Sequence, residues 1–270
     1  MHANNETGTV QPIAEIVTLA HQRGAVAGRA LVHTDAAQSV GKLSTSVGEL
    51  GVDLLTVAGH KLYAPKGIGA LFVRGASDRR GTANAGGIGV RLEPLVHGAG
   101  HERGRRAGTE NVPYIVALGE ACAAAADEQD DYAPRARRQR DRLHELLVEG
   151  VPGLTLNGHQ TDRLPNTLSV SFPGMDGEEL LAATPEIAAS TGSACHAGRT
   201  DPSAVLLAMG IAADRALGAV RLRVCLKRGR DCGRLWVWRD NLTPAILRMR
   251  SGRRWSHCFL QPSLEDVRGR

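Results

Sequence analysis

Apolar residues in the first part of the chain follow two different spacings. Residues 12–22 place apolar side chains at the three- and four-residue intervals of an amphipathic helix, with Pro12 near its start. Residues 30–34, 53–58 and 69–73 are short apolar runs, which predict three strands. Because strands that alternate with helices are typical of α/β proteins, we predict an α/β fold with a mostly parallel sheet.

The pattern changes in the rest of the chain. Residues 75–108 are rich in glycine and arginine and predict a long loop, which in a compact domain is usually functional. Residues 113–149 predict one or two helices, and residues 165–222 return to short strands and helices. We therefore expect a partial large domain over residues 1–130 and a small C-terminal α+β domain over residues 131–222.

Charge is unevenly distributed along the chain. The 270 residues carry a formal net charge of +5, yet residues 223–270 alone hold 12 Lys/Arg against 4 Asp/Glu. We expect that segment to be an atypical, poorly ordered basic tail, and we regard nucleic-acid binding through it as a weak alternative.

The absence of long apolar runs predicts a cytoplasmic protein without membrane contact. The five cysteines lack zinc-type spacing, so we predict no metal site.

An acid and an amine follow two of the predicted strands. Asp35 comes directly after the strand at 30–34, and Lys61 follows the strand at 53–58. Ligands of α/β sheets bind at the carboxyl ends of strands. A carboxylate that keeps a pyridine nitrogen protonated and a lysine that forms a Schiff base are what pyridoxal phosphate requires. Taken alone, Lys61 would more often be a surface lysine, and Asp35 could be a helix N-cap.

Six ordered segments resemble the cysteine desulfurases and selenocysteine lyases, which are class V aminotransferase-like, fold-type I pyridoxal-phosphate enzymes. The resemblance covers residues 1–222. The segments are MHANNETGTVQPI (1–13), HTDAAQSVGK (33–42), GHKLYAPKGIGAL (59–71), GHERGRRAGTENVP (100–113), RLPNTLSVSFPG (163–174) and STGSACHAGRTDPSAVLLAMG (190–210).

The resemblance implies a role for each cofactor-binding position. Lys61 is the residue that binds the cofactor covalently, and Asp35 pairs with its ring nitrogen. Gln38 lies near the phenolic oxygen of the cofactor, and Asn5 belongs to the same environment. Two further residues match phosphate-contacting positions, with the second supplied by the partner subunit of a homodimer: His60 and Thr109.

Two more residues match substrate-handling positions. Cys195 matches the thiolate that attacks the substrate sulfur and carries it as a persulfide to an acceptor protein. Arg221 matches the arginine that clamps the substrate carboxylate, a task suited to a bidentate guanidinium. The implied reaction releases sulfur from L-cysteine, or selenium from L-selenocysteine, and leaves L-alanine. Without the resemblance, Arg221 could be an ordinary surface arginine and Cys195 a small buried hydrophobe.

The chain also departs from the family pattern. Met1 aligns inside a family motif, which predicts an N-terminally truncated chain that lacks a phosphate loop and a ring-stacking histidine. Ala58 replaces a phosphate-binding serine, and extra residues near 27–30 resemble the selenocysteine lyase branch. The alternatives are therefore a selenocysteine lyase proper, or an inactive fragment that binds no cofactor.

Overall fold

The structure is a computed structural model of the full chain. It describes residues 1–23, 30–75, 90, 92–185, 187–192 and 201–224. Predictions for the segments between these ranges, and for residues 225–270, lie outside the described residues. Two small sheets organise the described part of the chain.

The first sheet has the strand order β1-β2-β3, with β1 at His33–Asp35, β2 at Leu54–Ala58 and β3 at Gly69–Val73. The β1 and β2 strands are parallel, as predicted, whereas β3 runs antiparallel to β2. The reason is the short connection from β2 to β3, because a parallel pair needs a longer crossover. This sheet is therefore mixed over the described residues.

Two helices accompany this sheet. Helix α1 spans Ile13–Arg23, close to the predicted range, and buries Ile13 and Val17. A single turn, α2 at Val47–Leu50, follows the N-cap Ser46 in the crossover from β1 to β2. The core between these elements consists of five buried apolar residues: Ile13, Val17, Ala36, Val52 and Leu55. The apolar stripe of α1 thus anchors one face of the sheet.

One long helix connects the two sheets. A short turn, α3 at His101–Gly104, contains two residues with left-handed backbone angles and precedes the helix. Helix α4 then spans Val112–Gly150 without interruption, despite Pro134 in its interior, and Asn111 caps its N-terminus. The predicted helical region is therefore one helix. It crosses residue 130, so the predicted division of the chain into domains at that residue remains a prediction.

The second sheet is antiparallel and has the strand order β4-β5-β6. Its strands are β4 at Thr155–Leu156, β5 at Thr167–Ser171 and β6 at Ala219–Arg223. Three short helices complete the described elements: α5 at Gly177–Ala182, α6 at Ala204–Ala208 and α7 at Ala213–Leu217. The last turns of α4 pack on this sheet through Leu143 and Leu147. Arg223 lies in β6, so ordered structure continues into the first residues of the predicted tail.

The N-terminal segment joins the two sheets. The His2 N–H donates to the Asp35 carbonyl at 2.8 Å, at the end of β1. A few residues later, the Leu164 N–H donates to the Gly8 carbonyl at 2.8 Å, beside the second sheet. Residues 1–10 therefore hold the carboxyl edge of β1 next to the second sheet. No helix in the described ranges is long and apolar enough to cross a membrane.

The second core predicts a measurable stability difference. Leu168 in β5 is fully buried, whereas Leu207 in α6 is 43 % exposed. We expect Leu168→Ala to lower the free energy of unfolding by about 2–5 kcal/mol, because it leaves a cavity. Leu207→Ala, the matched control, should cost well under half as much. Urea unfolding measures both, and equal losses in the two variants would contradict this account of the core.

Candidate active site

The candidate site lies at the carboxyl edge of β1 and β2. Asp35 is the last residue of β1 and pairs in register with Thr56 of the parallel strand β2. A 3₁₀ turn, Gly59–Lys61, follows directly after β2. Because parallel strands end at the same edge of a sheet, the Asp35 carboxylate and the turn that carries Lys61 share that edge. The structure thus agrees with the placement that the sequence predicts for both residues.

Gly59 allows the turn to form. Its N–H donates to the Ile68 carbonyl at 3.0 Å, which closes the loop between β2 and β3. A Cβ at this position would lie 2.8 Å from the Ile68 carbonyl oxygen and 2.9 Å from its Cγ2. Only glycine fits so close to neighbouring backbone, and the position of Lys61 depends on this contact.

The two carboxylate oxygens of Asp35 differ in their hydrogen bonds. Its Oδ1 accepts from the Ala37 N–H at 2.7 Å, so the carboxylate does cap the chain that follows β1. That chain forms consecutive turns and not the helix that the sequence suggested. Within the described ranges Oδ2 accepts no hydrogen bond, and the side chain is exposed. One carboxylate oxygen is therefore available to a ligand.

Three of the predicted residues are connected by hydrogen bonds. The Arg221 Nη1 donates to the Asn5 carbonyl at 2.7 Å, and the Arg223 Nη2 donates to the same carbonyl at 3.4 Å. Arg223 Nη2 also donates to Gln38 Oε1 at 2.7 Å. Asn5, Gln38 and Arg221, which are far apart in the sequence, are thus brought together by strand β6. Arg221 and Arg223 share one face of β6, because alternate residues of a strand point the same way.

Positive charge accumulates around this network. The pKa of Lys42 is lowered to about 8, first by burial and then by the charges of Arg223 and Lys61. Burial also lowers the pKa of Arg221, while the Glu6 carboxylate acts in the opposite direction. The pKa of Arg223 is lowered by burial first and by Arg221 second. Four cations therefore lie close enough to influence one another, which suits the site to anionic ligands.

Glu6 provides a negative charge next to Arg221. This carboxylate is 7 % exposed and accepts a hydrogen bond from Ser203 Oγ, at the N-cap of α6. Ser190 pairs with Arg221 through two backbone hydrogen bonds, at 3.2 and 2.6 Å. The segment that leads toward Cys195 therefore runs beside Arg221. Cys195 itself lies outside the described residues.

Two predicted phosphate-contacting residues lie apart from this network. His60 is exposed on the 3₁₀ turn. Thr109 is exposed in the loop before α4, where its carbonyl accepts from Arg106 Nη1 at 3.5 Å. No described hydrogen bond joins Thr109 to Asp35 or Gln38. Its predicted contribution across a subunit interface remains a prediction.

The sequence interpretation missed Lys42 and Arg223 as site residues. Lys42 ends the segment HTDAAQSVGK, but a lysine that follows a glycine does not by itself indicate that its side chain is shielded from solvent. Arg223 follows Arg221 by two residues in the apolar run AVRLR. That alternate spacing on a strand was the signal that could have placed both guanidiniums on one face.

Comparisons with known proteins give a consistent result. A family profile described as Aminotransferase class-V matches residues 1–228. A cysteine desulfurase of Gluconacetobacter diazotrophicus is 45% identical over 223 residues, which are 82% of this chain and 51% of that protein. The cysteine desulfurase IscS of Anaeromyxobacter dehalogenans is 44% identical over 221 residues, with 82% and 51% covered. The chain thus spans about half the length of these curated relatives.

Solved structures agree with the sequence relatives. A NifS-like protein superimposes with a TM-score of 0.73 at 31% sequence identity, covering 93% of this chain and 59% of that one. A structure described as SspA in complex with cysteine gives a TM-score of 0.62 at 35% identity, with 83% and 57% covered. These likenesses confirm the predicted fold class.

The half-buried Lys42 predicts a pH-dependent stability. The pKa of Lys42 falls from 10.5 to about 8 on folding, so between these values the unfolded chain binds more protons. Protonated Lys42 therefore destabilises the fold fully below pH 8, and the penalty is relieved as the pH rises toward 10.5. We expect Lys42→Met to be more stable than the parent chain at pH 7, by roughly 1–3 kcal/mol.

The difference should shrink as the pH approaches 10. Urea unfolding at several pH values measures it, and Lys66→Met, which changes an exposed lysine, is the matched control. A Lys42→Met variant that follows the pH dependence of the parent chain would contradict the burial of Lys42 and its proximity to Arg223 and Lys61.

Proposed function

This chain belongs to the class-V aminotransferase family. We propose that it acts as a cysteine desulfurase and that the candidate site at the carboxyl edge of β1 and β2 is its active site. The proposed reaction removes sulfur from L-cysteine and leaves L-alanine. One observation carries the proposal: Asp35 and Lys61 share one edge of the parallel pair β1-β2. Gln38 follows Asp35 by three residues, and Arg223 joins it to the Asn5 carbonyl that also binds Arg221. The names of the relatives support the choice of substrate.

The residues at this edge suit pyridoxal phosphate, the cofactor of the family. The Oδ2 of Asp35, which accepts no hydrogen bond from the described residues, can accept from a protonated ring nitrogen, and Lys61 can bind the aldehyde. Gln38, Asn5 and His60 are the proposed further contacts, and Thr109 is the proposed contact from a partner subunit of a homodimer. When bound, pyridoxal phosphate stabilises negative charge at the substrate Cα, which weakens the bond to sulfur.

Arg221 is proposed to bind the substrate carboxylate. Its Nη1 is engaged by the Asn5 carbonyl, so the guanidinium is oriented while its remaining N–H groups can donate to a second acceptor. Burial strengthens its attraction for an incoming anion, and Glu6 is the carboxylate that acts on it within the described part of the chain. The role of Arg221 is to hold the substrate in one orientation, so that its Cα and sulfur face the residues at the edge of β1 and β2.

Cys195 is proposed to accept the sulfur. Its thiolate attacks the substrate sulfur, and the carbon–sulfur bond breaks with its electron pair left on Cβ. Protonation of Cβ then gives the methyl group of alanine, and Cys195 holds the sulfur as a persulfide. This transfer balances without an external oxidant, because cysteine plus thiol equals alanine plus persulfide. The pairing of Ser190 with Arg221 supports the assignment, since the chain toward Cys195 starts beside the proposed substrate arginine. An acceptor protein in the cytoplasm would then take the sulfur.

The alternative substrate is L-selenocysteine, from which selenium would be released in place of sulfur. L-selenocysteine has the same carboxylate and amine, and it offers a better leaving group that depends less on Cys195. Nothing at Arg221 distinguishes the two substrates, because that residue contacts only the carboxylate they share. Release of sulfur depends more on the Cys195 thiol than release of selenium does, so a Cys195→Ser variant distinguishes the two reactions.

Alanine release tests this function directly. The full chain, supplied with pyridoxal phosphate, should release alanine from L-cysteine, and Lys61→Ala should abolish release because no amine binds the cofactor. Lys66→Ala, which changes a neighbouring exposed lysine, should retain it. Cys195→Ser should lose release from L-cysteine and keep most release from L-selenocysteine. No alanine from either substrate would contradict the proposed activity for this chain.

A further inference from the structure

Arg223 occupies a central position in the candidate site. Its Nη2 donates to Gln38 Oε1 at 2.7 Å and to the Asn5 carbonyl at 3.4 Å, and it thereby joins two residues proposed to contact the cofactor. Two neighbouring tyrosines, Tyr132 and Tyr63, act to raise its pKa. No role for Arg223 follows from the family resemblance.

The chemistry of the pair decides how Gln38 is oriented. A guanidinium carries only donors, so the Gln38 atom that faces Arg223 must be the amide oxygen. The Gln38 amide nitrogen then points away from Arg223, and it makes no hydrogen bond within the described part of the chain. A glutamine held in this way can offer its ligand only a donor. Without Arg223 the amide could turn over and present either group.

Arg223 is poorly explained as a stabilising residue. Its Nε is buried and has no partner among the described residues. Burial and the charge of Arg221 both disfavour its cationic form, as the lowered pKa of Arg223 indicates. Lys42 adds a further positive charge nearby. Its described hydrogen bonds are to neutral oxygens of Gln38 and Asn5, so the burial of this cation costs stability.

We propose that Arg223 is a positioning residue, which fixes Gln38 as a hydrogen-bond donor and holds Asn5 beside it. The ligand group that fits this donor is an anionic oxygen, and in the proposed function it is the phenolic oxygen of the cofactor. This inference rests on the proposed function for the identity of the acceptor. The orientation of Gln38 does not, since it depends only on contacts within the chain.

The first experiment uses the full chain without cofactor. The side-chain amide signals of the glutamines are recorded by NMR, and the Gln38 signal is assigned by its loss in Gln38→Glu. We expect this signal to shift in Arg223→Met, because the amide oxygen loses its donor, and to stay close to the parent position in Arg223→Lys. Arg142→Met, which changes an exposed arginine of α4, is the matched control and should leave it unchanged. An identical Gln38 signal in the parent chain and Arg223→Met would overturn the proposal.

The second experiment adds pyridoxal phosphate and follows the absorption of the bound cofactor against pH. A donor to an anionic oxygen lowers the pKa of that group. Arg223→Met should therefore raise the pH midpoint of the absorption change by about one unit, the size expected for one hydrogen bond to a charged acceptor. Gln38→Glu, which cannot donate when ionised, should raise it as well, while Arg223→Lys should restore most of the parent midpoint.

The outcomes separate the two proposals. A parent chain that binds no cofactor would count against the proposed function, and the NMR experiment would still decide the role of Arg223. A parent chain that binds cofactor with the same pH midpoint as Arg223→Met would overturn the positioning role and leave the proposed function intact. Retention of the parent far-ultraviolet circular dichroism in Arg223→Met excludes unfolding as the cause of either change.

Discussion

The parallel hydrogen bonding of β1 and β2 is the constraint on which the site depends. It places Asp35 opposite Thr56 and lets both strands end at one edge of the sheet. The turn Gly59–Lys61 extends this edge, and it closes only because Gly59 lacks a Cβ that would collide with Ile68. A carboxylate whose Oδ2 accepts no hydrogen bond from the described residues, and a lysine, are thereby carried on hydrogen-bonded backbone. Such support is what a site needs to hold two ends of a flat ring.

The N-terminal segment extends the same edge toward the second sheet. Its backbone binds the end of β1 at one point and the chain before β5 at another, so Asn5 lies between the two sheets. Strand β6 then contributes two guanidiniums to the Asn5 carbonyl. The proposed substrate arginine and the proposed cofactor contacts are held by one continuous network. A substitution that displaces residues of one sheet is therefore expected to displace site residues held by the other.

Much of this arrangement could be predicted from the sequence. The strand that ends at Asp35 and the helix at 13–23 follow from the local spacing of apolar residues. The parallel direction of β1 and β2 follows from the alternation of predicted strands and helices. The antiparallel direction of β3 could not be predicted, because it depends on how a short loop closes. Arg223 and Lys42 were missed for a related reason: their burial and mutual repulsion arise only when segments distant in sequence meet. Likewise, the Asn5 carbonyl acts through its backbone, which no residue pattern reveals.

The central claim is that Lys61, at the same sheet edge as Asp35, is the residue that binds pyridoxal phosphate. The direct measurement is to incubate the full chain with pyridoxal phosphate, reduce it with borohydride, and map the labelled peptide by mass spectrometry. The account predicts one pyridoxyl label, on Lys61, and weaker labelling in Asp35→Ala, because the ring nitrogen then loses its partner. A label spread over exposed lysines such as Lys66, with none on Lys61, would contradict it.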